Sequence, residues 1–338
     1  MSGTRSKTNS TLIEARKAKL DRFYEDSPRI DDQTKMNNRS LLGIIHLFLD
    51  DTANEVTEDP KFAPFLQFIK RILVHLLSSS DQPLAGTTAI FATLAQDLAT
   101  LTEAGRRAWR VSHPHSRPGD SMVPYIVSYI RHSPPAIVLV DTEDHEEPRR
   151  ATKAYSWGFV RKGADENNEM LFSRRLVTAY IELAEKVKAD NPLSDPACPS
   201  DQLVIIQSVI MVAFLHELTH TITKSLFNGL ITSVMRGQRG EAGEDLEQIL
   251  FGGLMCVEWL RRDFDNRDLR MKRIQKLYIM HVVPSQWQDQ ESNPSNPGQM
   301  PAGGTCFYEL EIEGLRNDVA DCNAGPADGS HTYACCAA

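Results

Sequence analysis

The sequence predicts an α+β protein with a mainly helical N-terminal region. Apolar residues recur at helical spacing through the first third of the chain. Short β-branched and aromatic runs then cluster between residues 136 and 172. An apolar stretch from Leu203 to Leu215 reads as one long buried helix.

Length and composition narrow the classes. The chain has 338 residues, which at roughly 150 per domain allows one large domain or two modest ones. Hydrophobic residues make up 41% and charged residues 24%, so a globular core needs no disulfide staples. The six Cys are scattered and form no disulfide framework. Net charge is −8, from 37 Lys+Arg against 45 Asp+Glu, which argues against a general nucleic-acid binder. No run reaches the roughly 18 apolar residues of a membrane helix. The N-terminal stretch lacks the apolar segment of a secretory signal. The expectation is a cytoplasmic protein with neither membrane nor nucleic acid as partner.

The elements follow in order. Residues 11–24 form a weak amphipathic helix. Residues 41–50 form a short apolar segment that suits a buried helix, with Asn38 or Ser40 as N-cap. Phe62, Phe65, Phe68, Ile69, Ile72 and Leu76 stripe a helix over 60–77, and Ile90, Leu94, Leu98 and Leu101 stripe another over 87–104. Near residue 112 the character changes. Residues 112–118 form a polar, Pro-bearing loop, and His113 and His115 in it read as surface residues. Strands are expected at 136–141, 154–161 and 169–172. A helix follows over 174–188, then a Pro-rich loop over 191–200. The long helix runs from Asp201 to about Phe227 and stops at Asn228-Gly229. Further helices are expected over 240–262 and 269–281, then an irregular tail with a short strand at 306–313. These shifts divide the chain into a helical region 1–111, a core 112–283 and a tail 284–338.

One motif carries chemistry. His216-Glu217-Leu218-Thr219-His220 is H-E-x-x-H within the long apolar helix. Positions i and i+4 share one helix face, so the two imidazoles can converge on one Zn²⁺. Glu217 stands beside the first histidine, where its carboxylate can take a proton from a water held by the ion. Placing three ionisable groups within five residues of an apolar helix is costly unless something binds them. A third ligand must come from elsewhere. The next His after His220 is His281, but Glu241, Glu244 and Glu247 follow after a span long enough for a helix to return. Spacing alone does not choose among the three. Glu241 and Glu244 or Asp245 share a face, so one can ligate while another orients a histidine.

His216-Glu217-x-x-His220 with a downstream helix-borne Glu resembles the gluzincin group of zinc metallopeptidases. The segment Glu241-Ala242-Gly243-Glu244-Asp245-Leu246-Glu247 looks like the ligand helix of the thermostable carboxypeptidase and thimet oligopeptidase families. It also resembles zincin-like proteins of fungi. The likeness covers about residues 203–260. It implies a zincin-like fold, in which a small mixed sheet packs on the active-site helix and an edge strand binds extended peptide. It implies Zn²⁺ held by His216, His220 and Glu241, with Glu247 second to Glu241, and Glu217 as general base. The expected activity is hydrolysis of a peptide or protein substrate. Residues 154–161 are the candidate edge strand. Tyr155, Tyr180, Tyr278 and His281 are candidates to stabilise the oxyanion. A zincin-like protein that binds without cleaving, and a zinc hydrolase of a non-peptide amide, are the alternatives. Glu217 favours catalysis, because a purely structural site has no use for it.

Overall fold

The computed structural model describes residues 14–15, 18, 45–50, 54–77, 85–117, 121–141, 157–160, 168–190, 201–229, 242–259, 274–281 and 306–309. Among them the fold is mostly helical with a small mixed sheet, as expected of an α+β chain. The described helices are α1 (Ala63–Leu77), α2 (Ala85–Leu101), α3 (Glu103–Ser112), α4 (Val123–His132), α5 (Arg174–Asp190), α6 (Asp201–Leu226) and α7 (Ala242–Phe251). The strands are β1 (Leu47–Leu49), β2 (Ala136–Val140), β3 (Gly158–Phe159), β4 (Glu169–Ser173), β5 (Leu254–Trp259), β6 (Ile274–His281) and β7 (Cys306–Glu309).

The first sheet has the order β1-β2-β4-β3. β1, β2 and β4 are parallel, with Leu47 opposite Ile137 and Val138 opposite Leu171. β3 closes the sheet antiparallel to β4, with Gly158 opposite Phe172. A parallel strand is covered on both faces and therefore reads as an unbroken apolar run. Ala136–Val140 is buried throughout for this reason. Leu47, Ile137, Leu139, Met170 and Phe172 point into the main core, while Phe48, Val138, Val140 and Leu171 form a second cluster on the opposite face.

α6 is the axis of the main core. It is long and apolar enough to cross a membrane by length and composition, yet nearly all of it is buried inside this fold. Its polar residues are accommodated by back-bonding to their own helix. Ser208 donates to the Val204 carbonyl, Thr219 to Leu215 and Thr223 to Thr219, each at 2.9 Å. Phe65, Phe68, Phe91, Phe214 and Phe227 fill the surrounding space. Each such side chain contributes about 1.5–3 kcal/mol through removal from water.

Several expectations are corrected. Residues 47–49 are a strand, not part of a buried helix over 41–50. A short apolar run carries no period that separates the two, and pairing with β2 decides it. The helix expected over 87–104 ends at Leu101. Thr102 leaves helical geometry and its hydroxyl caps a new helix, accepting from Gly105 N at 2.9 Å. α4 lies between the loop expected over 112–118 and the strand expected from 136, where no element was assigned, with Pro124 pre-set in its first turn. The helix expected over 240–262 stops at Phe251, because Gly252 takes φ 76° and the chain turns into β5. The helix expected over 269–281 is β6. Leu277 and Ile279 are both buried at a spacing of two, and β6 pairs with β5 and β7. Strands β2, β4 and β7, helices α1, α5 and α6, and the stop at Asn228-Gly229 fall where expected. Most of 11–24, the loop 191–200 and most of the tail lie outside the described residues.

Candidate functional site

α6 carries His216, Glu217 and His220, and α7 packs against it. α6 ends in a reversal in which Asn228 takes φ 51° and Gly229 donates to the Lys224 carbonyl at 2.8 Å. That six-to-one bond satisfies a terminal carbonyl and releases the chain from the helix axis. It is the first step in bringing α7 back alongside.

The two histidines lie one turn apart with ring centroids 5.2 Å from each other. Two imidazoles held tetrahedrally through nitrogen at about 2.0–2.1 Å would place their centroids roughly 5 Å apart. The centroid spacing is therefore compatible with a shared Zn²⁺.

His216 Nδ1 contacts Glu247 Oε1 at 2.7 Å, a pair only slightly open to solvent (18% and 11%). An ionised carboxylate only accepts, so Nδ1 is the donor, and the lone pair of a neutral ring falls on Nε2. The second oxygen of Glu247 accepts from Met255 N of β5 at 2.9 Å. Glu247 is thus tied both to the histidine and to the second sheet. A carboxylate so placed is suited to hold the ring's orientation.

Gly243 explains how α7 comes so close. A Cβ there would stand 2.3 to 2.5 Å from three atoms of the His216 ring. The near-equal distances place the glycine over the flat of the imidazole. Gly158 of β3 plays a similar part at Glu217, whose Cγ would lie 2.9 Å from a Cβ at that position. The terminal strand of the sheet therefore runs directly past the Glu217 side chain, which is itself only 7% exposed. Only Gly158 and Phe159 of the expected strand 154–161 are in the ladder, and 154–156 and 161 lie outside the described residues.

Cys256 of β5 neighbours this arrangement. Burial pushes its thiol up, and the Glu247 carboxylate pushes it further in the same direction. The thiol therefore stays neutral near pH 7.

The remaining candidates separate clearly. Glu241 and Tyr155 lie outside the described residues, as do the side chains of Tyr278 and His281 on β6. Tyr180 is corrected. It is buried against Phe68, and its hydroxyl meets the Pro64 carbonyl at 3.5 Å and the Gln207 side chain. Burial raises its pKa, with the Gln207 hydrogen bond and Arg71 opposing. Gln207 stands nine residues before His216 on α6, about 13 Å along the axis, too far for an oxyanion contact. His115 is exposed as expected, whereas His113 is half-buried and stacks on Trp109 at 3.9 Å.

Spacing pointed to the two histidines and Glu217. It did not single out Gly243 or Gly158, because a glycine required by a close approach looks like any other glycine in sequence. Among the described residues no cluster of three or more His, Cys, Asp or Glu stands ready to hold a metal ion. Compared with known proteins, the chain matches no family model, no curated protein and no solved structure.

Proposed function

We propose that the protein is a zinc-dependent hydrolase of peptide bonds with a zincin-like arrangement. His216 and His220 supply two nitrogen ligands, Glu241 the third ligand, and Glu217 the general base. The observation that carries the reading is the pairing of His216 Nδ1 with Glu247, in a histidine pair whose centroids stand 5.2 Å apart. An HExxH helix used only for packing has no need of a carboxylate that fixes the tautomer of its first histidine.

When bound, the ion supplies Lewis-acid polarisation of the scissile carbonyl and acidifies a water. The chain's own groups do the rest. Glu247 holds the His216 ring in place and keeps its proton on Nδ1. Glu217, buried beside β3, takes the proton of the attacking water and passes it to the leaving amine. β3 runs past Glu217 through Gly158, so an extended substrate would align along that strand with its scissile bond near the carboxylate. Glu241 immediately precedes α7, whose Gly243 packs on the His216 ring, which supports it as third ligand.

The test is zinc content of protein purified without added metal, for the wild type and for Glu241→Gln. About one zinc per chain in the wild type, lost in the variant, is expected of a site with three protein ligands. Cleavage of a peptide library, with Glu217→Gln as control, then separates a peptidase from a binding protein or a hydrolase of other amides. A wild type that folds but takes up no zinc overturns the reading.

A further inference from the structure

The chain as a whole is acidic, yet one stretch is not. Residues 98–140 hold five Arg (106, 107, 110, 117 and 131), no Lys, and two acids, Glu103 and Asp120. That local +3 sits in a chain of −8, leaving 32 basic against 43 acidic residues elsewhere. Three of the arginines fall on α3 at i, i+1 and i+4, one face of the helix. The opposite face is fixed in the core by Gly105 and Trp109.

α3 is held rigidly. A Cβ at Gly105 would lie 2.1 Å from the Leu98 carbonyl, so α3 lies directly on the end of α2. Trp109 contacts the rings of His113, Tyr125 and Phe227, and Ser116 meets the Tyr125 hydroxyl. The loop after α3 is therefore pinned to α4, and the helix to the end of α6.

On the outer face, Arg106 is already engaged with the Thr100 carbonyl and Glu103. Arg107 and Arg110 are exposed, and among the described residues neither shows an ion pair. The two most exposed large hydrophobics among the described residues, Leu101 at 61% and Val111 at 65%, bracket these arginines in sequence. Arginine is enriched at protein–protein interfaces, and exposed aliphatic surface near it gives a partner apolar area to cover. Guanidinium groups favour planar anions that accept two hydrogen bonds at once.

We infer that the Arg107–Arg110 face of α3 is a docking surface for an acidic protein segment that also bears apolar side chains. Charge complementarity selects the partner: carboxylates pair with the two free guanidinium groups, and apolar side chains cover Leu101 and Val111. The surface shares no residue with the His216 site and does not depend on the hydrolase reading.

The test is fluorescence anisotropy of a labelled short peptide of Glu and Asp with a central Leu-Phe pair, titrated with the full chain. Wild type should bind, and the affinity should fall as salt rises from about 50 to about 200 mM, where screening shortens the reach of each charge. Arg107→Glu with Arg110→Glu should weaken binding at least about tenfold, because like charges then face each other. Val111→Ser should weaken it by a smaller factor at all salt concentrations. All three positions are exposed, and circular dichroism checks that the variants fold. Equal binding by wild type and the double variant overturns the proposal. So does failure of the wild type to bind, or tighter binding of an oligonucleotide of matched charge.

Discussion

His216 and Glu247 stand 31 positions apart in sequence and 2.7 Å apart in the fold, Nδ1 against Oε1. The contact joins α6 to α7, and through Met255 N it joins both to β5. A group that bridges three elements and points at a candidate metal ligand does more than pack. The expected result for Glu247→Ala is a zinc affinity weakened by about 10–100-fold, the range for loss of an orienting partner. Competition with a chelator measures it. The same change leaves Met255 N without its acceptor, so the thermal midpoint should fall as well. Loss of stability with unchanged zinc affinity would show that Glu247 is structural alone.

Gly243 offers a steric test of the same contact. Gly243→Ala puts a methyl against the flat of the His216 ring, and α7 or the ring must move. The expected cost is about 1–3 kcal/mol of stability, as for other overpacked sites, together with weaker zinc binding. Gly86→Ala is the control. Gly86 is exposed in the first turn of α2 with nothing within 4 Å of its would-be Cβ. That variant should be neutral or gain up to about 1 kcal/mol from helix propensity. Chemical denaturation of the three proteins reads the difference.

What was legible in the sequence follows from where period and chemistry agree. α6 announced itself because a long apolar run that ends in Asn228-Gly229 has few other solutions. Its histidines were legible because i and i+4 meet only on a helix. β1 and β6 read as helices from sequence alone, since neither short run carries a clear period and their identity rests on partners far away in sequence. Leu47 finds Ile137, and Tyr278 finds Cys256 and Glu309. The break after Leu101 depended on one threonine hydroxyl capping Gly105 N. The partners of Glu247 were hidden for the same reason. Glu247 meets His216 and accepts from Met255 N, and neither contact is a matter of spacing.

In the proposed hydrolysis, catalysis turns on Glu217. It is buried beside Gly158, and the proposal gives it a proton-transfer role and no metal bond. Glu217→Gln preserves size and position but cannot accept a proton. Peptide hydrolysis should fall by about 10²–10⁴-fold with zinc content unchanged, the usual loss for a general base. Single-turnover cleavage alongside metal analysis separates the two quantities. Loss of zinc in this variant would instead place Glu217 among the ligands.

His113 supplies a prediction in pH. Burial lowers its pKa below the ordinary 6.5, and the hydrogen bond with the Trp109 backbone opposes this only in part. The unfolded chain therefore binds the proton before the folded chain does. Stability is fully retained above the unfolded value and declines as pH falls from about 6.5 toward the lower folded value. His113→Phe keeps an aromatic ring on Trp109, where the stack is 3.9 Å, and removes the titration. The expected outcome is a smaller drop in thermal midpoint between pH 7.5 and pH 5.5 for the variant than for the wild type. Equal drops would mean that His113 takes up its proton in the folded state as readily as in the unfolded one.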